Sequence, residues 1–305
     1  MPRHPPDRRR TLLPRWIAVG ALVALAIVVV AAAAGGGDHR RPHAPARAAA
    51  RAGGPARRGR PPTVRHERRR SRQRRRLARE RRAVAHVLGY TPYVARGSWR
   101  RREVALTFDD GPGPYTPRVL RVLERLRVPA TFFVVGEQLN SFRAGLRAEL
   151  RGGFEIGDHT ETHPLLSRLG PAAQRRELRD QIARVRRLGA PRPFLFRPPY
   201  GAFDRTTLRL ARRMGLLMVL WTIDTQDYRR PGAAAIVQAA LRGARPGAIV
   251  LMHDAGGERS QTIAALPAIV RKLRARHYRL VTVGQLVRDD PPPRHQAPPR
   301  SLAGG

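Results

Sequence analysis

The chain has 305 residues and a formal net charge of +38, from 60 basic and 22 acidic side chains, and Lys272 is its only lysine. That length accommodates one large domain plus appendages, and the charge attracts anionic lipid, anionic wall polymer or nucleic acid. With no cysteine in the chain, disulfides, thiolate zinc sites and cysteine nucleophiles are excluded.

Residues 1–15 form a basic flank that carries Arg3, Arg8, Arg9, Arg10 and Arg15. Residues Trp16 to Ala34 follow as an uncharged run of 19. As a helix this run spans roughly 28 Å at about 1.5 Å per residue, close to a bilayer's hydrocarbon core. The expectation is an uncleaved membrane anchor with the following chain extracytoplasmic. The small Ala31–Ala34 end also suits cleavage, which would leave a secreted protein. Arginines beyond the run nearly balance those before it, so charge does not orient the segment.

Residues 35–98 read as an arginine-rich disordered spacer, with helical potential between Arg68 and Leu88. From His39 to Arg82 there are 18 arginines against Glu67 and Glu80, too little apolar surface to offset ordering entropy. Anionic lipid or wall polymer are the partners such a tether would meet. No aromatic side chains interleave the arginines, so no specific nucleic-acid partner is expected. Residues 289–305, rich in proline, read as a disordered tail.

Residues 99–288 form the expected catalytic domain, in which short apolar strands alternate with amphipathic helices. Strands are predicted over Val104–Phe108, Ala130–Val135, Glu155–Gly157, Phe194–Phe196, Leu217–Ile223, Ala248–Met252 and Tyr278–Thr282. Val119, Leu120, Leu123 and Leu126 repeat at helical spacing between the first two strands. Such alternation implies parallel pairing in an α/β fold. Seven repeats point to a distorted, incomplete (β/α) barrel, with an open doubly wound sheet as the other architecture.

Active sites of parallel α/β folds lie at the carboxyl ends of strands. Asp109 and Asp110 follow the first predicted strand, His159 and His163 the third, Arg197 and Tyr200 the fourth, Asp224 and Asp227 the fifth, and His253 the sixth. One rim therefore collects acids, imidazoles and a guanidinium. His159 and His163, four residues apart on a helical turn, would share a face and an ion, with Asp109 or Asp110 as the carboxylate ligand. The other aspartate would take a proton from water whose pKa the ion lowers. Arg197, stiffened by Pro198 and Pro199, is expected to pin Asp109 through two hydrogen bonds. His253 is suited to protonate a leaving amine, with Asp224 favouring its charged form.

These residues resemble the polysaccharide deacetylases of carbohydrate esterase family 4, which share the NodB-homology domain. Five ordered motifs between about Arg102 and Leu286 carry the likeness: Thr107-Phe108-Asp109-Asp110-Gly111-Pro112, His159-Thr160-Glu161-Thr162-His163, Arg197-Pro198-Pro199-Tyr200, Asp224-Thr225-Gln226-Asp227-Tyr228 and Leu251-Met252-His253. The resemblance implies Asp109 as general base and Asp110, His159 and His163 as ligands of Zn2+, or of Co2+ or Ni2+. It implies Arg197 as the group that orients Asp109, the Tyr200 N–H as an oxyanion donor and His253 as general acid tuned by Asp224. Leu251 would line the acetyl pocket. The fourth motif commonly ends in tryptophan; here Tyr228 keeps an aromatic face for the sugar and adds a hydroxyl.

The expected activity is removal of N-acetyl groups from N-acetylglucosamine units of a cell-wall or extracellular glycan, peptidoglycan first. Two other readings stand beside it. One keeps the fold and hydrolyses a formamide or cyclic amide. The other is a non-catalytic basic protein that binds wall or nucleic acid.

Overall fold

The computed structural model describes residues 64–294, with side chains from residue 71. The expected flank, anchor, first part of the spacer and residues 295–305 of the tail lie outside the described residues. Among the described residues no helix is long and apolar enough to cross a membrane.

The elements run α1 (Val64–Leu88), β1 (Tyr93–Val94), β2 (Glu103–Asp109), α2 (Thr116–Leu126), β3 (Thr131–Val134), α3 (Arg143–Gly152), β4 (Glu155–Asp158), α4 (Pro171–Arg187), β5 (Leu195–Phe196), α5 (Arg205–Arg213), β6 (Leu217–Val219), β7 (Ile223–Asp224), α6 (Ala233–Arg242), β8 (Ala248–His253), α7 (Ser260–Ala275), β9 (Arg279–Val281) and α8 (Val283–Asp289). Neighbouring strands pair in parallel in the order β1-β6-β5-β4-β3-β2-β8-β7, with β9 also on β2. This is the distorted, incomplete (β/α) barrel, with two strands more than the seven expected. One is β1, too short to leave a period in the sequence. The other arises because the predicted strand Leu217–Ile223 is two short strands, β6 and β7, broken at Leu220–Thr222.

Strand alternation sorts each side chain to one face. On β2, Val104, Leu106 and Phe108 point outward and join the helices' apolar faces, including Leu123 of α2, Leu146 of α3 and Leu266 of α7. Ala105 points inward, among Phe133, Leu195, Val219 and Ile249. Each fully buried Phe or Leu in the outer layer contributes about 1.5–3 kcal/mol. Gly157 is required on β4, because a Cβ there would lie 2.5 Å from the Phe133 ring. Two helices begin in capping boxes that satisfy their orphan N–H groups: Asp204 with Thr207 on α5, and Thr282 with Gln285 on α8.

The expected spacer boundary at residue 98 moves upstream. Val84, Val87 and Leu88 of α1 are buried in the inner cluster, with Leu77 packed against it. β1 pairs with β6 through Tyr93 with Met218 and Val94 with Val219. The end of α1 carries an apolar stripe at helical spacing, and that stripe outweighs its arginines. At the other boundary Asp290 is buried and accepts bonds from Ser98 Oγ and from the backbone N–H groups of Trp99 and Arg100. Residues 289 and 290 therefore belong to the fold rather than to a tail.

Candidate active site

The cleft lies at the carboxyl ends of the strands, a cavity of about 800 Å³. Asp109, Asp110, His159, His163, Tyr200, Asp224, Tyr228, Leu251 and His253 all line it. Thus nine of the ten expected site residues reach one cavity. The tenth, Arg197, lies beneath its floor.

Inward-facing Thr107 and Asp109 on β2 meet Arg197, which is fully buried. Arg197 Nη1 donates to Thr107 Oγ1 at 2.7 Å and to Asp109 Oδ1 at 2.8 Å. Its Nε and Nη2 donate to the carbonyls of Val219 and Leu220 at 3.2 and 3.3 Å. The guanidinium also lies 4.2 Å over the Phe133 ring. The expected two-bond fork to Asp109 is therefore corrected to one bond. The remaining donors are drawn to the carbonyls at the end of β6, which leaves Asp109 Oδ2 facing the cleft. Burial lowers the Arg197 pKa, and the charge and hydrogen bond of Asp109 oppose that fall.

His159 and His163 do not sit on a helical turn. The segment is irregular, with Thr160 at φ 68° and His163 at φ 61°. These left-handed residues bend the chain back, so that the imidazole centroids are 4.9 Å apart. His159 Nδ1 lies 2.7 Å from the Arg197 carbonyl oxygen. A carbonyl only accepts, so Nδ1 carries the proton and Nε2 offers its lone pair to the cleft. Asp110, itself at φ 72°, turns away from Asp109. Its Oδ1 is 3.1 Å from His163 Nε2 and 3.6 Å from His159 Nε2. Burial opposes ionisation of Asp110, yet the neighbouring imidazoles of His159 and His163 and the charge of His253 hold its carboxyl well below the usual range.

One ligand atom from each of Asp110, His159 and His163 lies within 4.8 Å of the other two. Two imidazoles and a carboxylate with the tautomer of one imidazole set from behind fit a divalent transition ion with open positions. Gly256, at φ 69°, backs this set, because a Cβ there would strike the Asp110 carboxylate.

His253 ends β8 with its Nδ1 2.7 Å from Asp227 Oδ1, while its backbone N–H donates to Asp227 Oδ2 at 2.9 Å. The ionised carboxylate only accepts, so Nδ1–H donates and Nε2 is left for the cleft. Burial lowers the imidazole pKa, but Asp227, with Asp110 and Asp109 behind it, outweighs burial and pushes it up to about 9. The assignment of Asp224 as this histidine's partner is thereby corrected. Gln226 takes a left-handed φ of 52°. The turn that follows, Asp227–Arg229, brings the second acid of the motif under the imidazole. Asp224 Oδ1 instead accepts the Gln226 N–H at 2.8 Å.

Aromatic groups frame the cleft. Tyr200 is 59% exposed, with its ring edge-on to His163 at 4.7 Å. Tyr228 is exposed and edge-on to His253 at 5.4 Å. Trp221 packs against the inner cluster and also lines the cavity beside Leu251. Its place after β6 was the signal: strand ends in this fold open onto the rim.

Residues 96–219 match the family model for polysaccharide deacetylase. The chain is 41% identical over 202 residues to a chitooligosaccharide deacetylase of Bradyrhizobium sp. (strain ANU 289), covering 61% of this chain and 90% of that one. It is 38% identical over 188 residues to a peptidoglycan-N-acetylglucosamine deacetylase of Bacillus cereus, covering 61% and 88%. The crystal structure of the Bc1960 peptidoglycan N-acetylglucosamine deacetylase superposes with a TM-score of 0.63 at 32% identity, over 64% of this chain and 92% of that one. The chain belongs to the polysaccharide deacetylase family.

Proposed function

We propose that this chain hydrolyses the acetamido group of N-acetylglucosamine units in peptidoglycan, outside the cytoplasm, with a zinc ion held by Asp110, His159 and His163. One observation carries the reading. A carboxylate with one free oxygen, Asp109, and an imidazole raised to about 9, His253, open onto the same cavity as the three-donor set.

When bound, the ion lowers the pKa of water and polarises the acetamide carbonyl. Asp109 Oδ2 takes the proton of the attacking water, while Arg197 occupies Oδ1 and keeps the carboxylate in place. His253 delivers a proton to the departing nitrogen from Nε2, and Asp227 stabilises its charge until then. We assign the Tyr200 N–H to the developing oxyanion. Leu251 and Trp221 offer an apolar wall to the acetyl methyl, and the rings of Tyr200 and Tyr228 offer faces to the sugar.

The relatives' names support an N-acetylated glycan substrate, one chitooligosaccharide and the other peptidoglycan. The apolar run 16–34, outside the described residues, is our reason for placing the domain at the cell surface, with the basic segment after it facing anionic lipid or wall polymer. The test is acetate release by the full chain from purified peptidoglycan and from chitin oligomers, with and without chelator. Acetate should appear from peptidoglycan, vanish with chelator and return with zinc. Release of formate or ammonia instead, or no acetate from either glycan, would overturn the proposal.

A further inference from the structure

We infer that Asp224 receives the ammonium group that hydrolysis leaves on the glycan, so that the cleft prefers its own cationic product to a neutral sugar at that position. The inference rests on the deacetylase reading above.

Four carboxylates line the cavity: Asp109, Asp110, Glu137 and Asp224. Asp109 is committed to Arg197, and Asp110 to the two histidines. Asp227, which the motif pairs with Asp224, stands behind His253 and also accepts from Thr262 Oγ1 at 2.7 Å. Asp224 has only the Gln226 N–H on Oδ1, and no ion pair among the described residues includes it. It is half-buried, whereas Glu137 is exposed. A carboxylate partly stripped of water and left without a cation is a receptor for one. Burial raises its carboxyl above the usual range, an effect that the Gln226 N–H and the charges of His253 and Arg229 only partly offset.

The register says which cation. Asp224 on β7 pairs with Leu251 on β8. Leu251 and His253 are alternate residues of that strand and share its cleft-facing side. Asp224 therefore stands beside the proposed acetyl wall and next to the proton donor, where the leaving nitrogen belongs. In the reaction the C–N bond breaks and its electron pair stays on nitrogen. The water oxygen joins the acyl carbon, and nitrogen takes up both water protons. A neutral acetamide thus becomes acetate and an ammonium ion, and Asp224 meets a charge that the substrate lacks.

The test uses the full, zinc-loaded chain and calorimetry at pH 6 with two probes, the tetramer of glucosamine and cellotetraose. They differ in having an amine or a hydroxyl at the reacting carbon. The wild type should bind the amine about tenfold or more tightly than the hydroxyl, the scale of one charge-assisted hydrogen bond. Asp224→Asn should level the two, and Glu137→Gln should keep the preference. Equal binding of both probes by the wild type overturns the inference, even if the Asp224 variant fails to fold. Preference retained in Asp224→Asn, or lost in Glu137→Gln, overturns it too. If Asp224→Asn shifts the alkaline limb of kcat/KM, the residue acts through His253 and the assignment is wrong. Failure of the deacetylase reading would be seen separately, as no acetate release by the wild type.

Discussion

Asp227 grips His253 twice, with Oδ1 2.7 Å from the imidazole Nδ1 and Oδ2 2.9 Å from the backbone nitrogen. The histidine is thereby oriented as a donor, and its pKa is raised to about 9. An imidazole with a raised pKa keeps its proton below that value and loses it above. The acid function should persist through neutral pH, and kcat/KM should fall as pH rises through about 9. Asp227→Asn removes the carboxylate charge, so the falling limb should move down by at least about one pH unit, measured as kcat/KM against pH for acetate release.

Arg197 is buried entirely and bonded to Thr107, Asp109 and two backbone carbonyls, and we propose that it positions the Asp109 carboxylate. Arg197→Ala leaves the Asp109 charge buried without its partner and should cost about 3–5 kcal/mol in urea unfolding. Arg197→Lys keeps a charge but cannot reproduce the planar fork. It should fold, with kcat reduced about 100-fold and KM little changed. Equal kcat in the lysine variant and the wild type would mean that Asp109 needs no such support.

Glu80 of α1 lies fully buried in the barrel floor, and neither of its carboxylate oxygens has a hydrogen-bond partner. Burial first, and then the charge of Glu155, raise its carboxyl to about 7 against an ordinary 4.5, while Arg76 and Arg288 pull the other way. Between those two values the folded chain holds a proton that the unfolded chain has lost. Stability should therefore fall as pH rises from about 4.5 to 7 and level off above. Glu80→Gln should flatten that slope and stabilise the chain at pH 8 by about 1–3 kcal/mol, read from urea midpoints across this range.

Truncation tests the revised boundary. A chain beginning at Trp99 lacks Val84, Val87 and Leu88 from the inner cluster and the β1 edge of the sheet. It should expose the barrel floor and lower the thermal midpoint by about 10 °C or more, roughly 2.5–5 kcal/mol for a domain this size. A chain beginning at Val64 should melt like the full protein.

The rim of the barrel was legible because strand alternation and the carboxyl-end rule each depend on short stretches of sequence. Asp109, Asp110 and His253 stand at the ends of short apolar runs that form β2 and β8, and His159 and His163 follow the short strand β4. The partner of His253 was not legible. Asp224 and Asp227 are three residues apart, and only the left-handed Gln226 and the turn after it decide which faces the imidazole. The two imidazoles come together through a bent loop and not the expected helical turn, because left-handed Thr160 and His163 fold the segment back. Arginines dominate the composition of α1 and hide its packing face, on which Leu77, Glu80, Val84, Val87 and Leu88 lie together. No pattern in the chain marks a two-residue strand such as β1, which exists only through its pairing with β6.

The central claim is that Asp109 works beside an ion that it does not itself hold. The most direct measurement is acetate release by zinc-loaded Asp109→Asn, with zinc content determined on the same sample. The account predicts one ion per chain together with acetate release reduced at least about 100-fold, the scale of a lost general base. An ion-replete variant that releases acetate at the wild-type rate would contradict it.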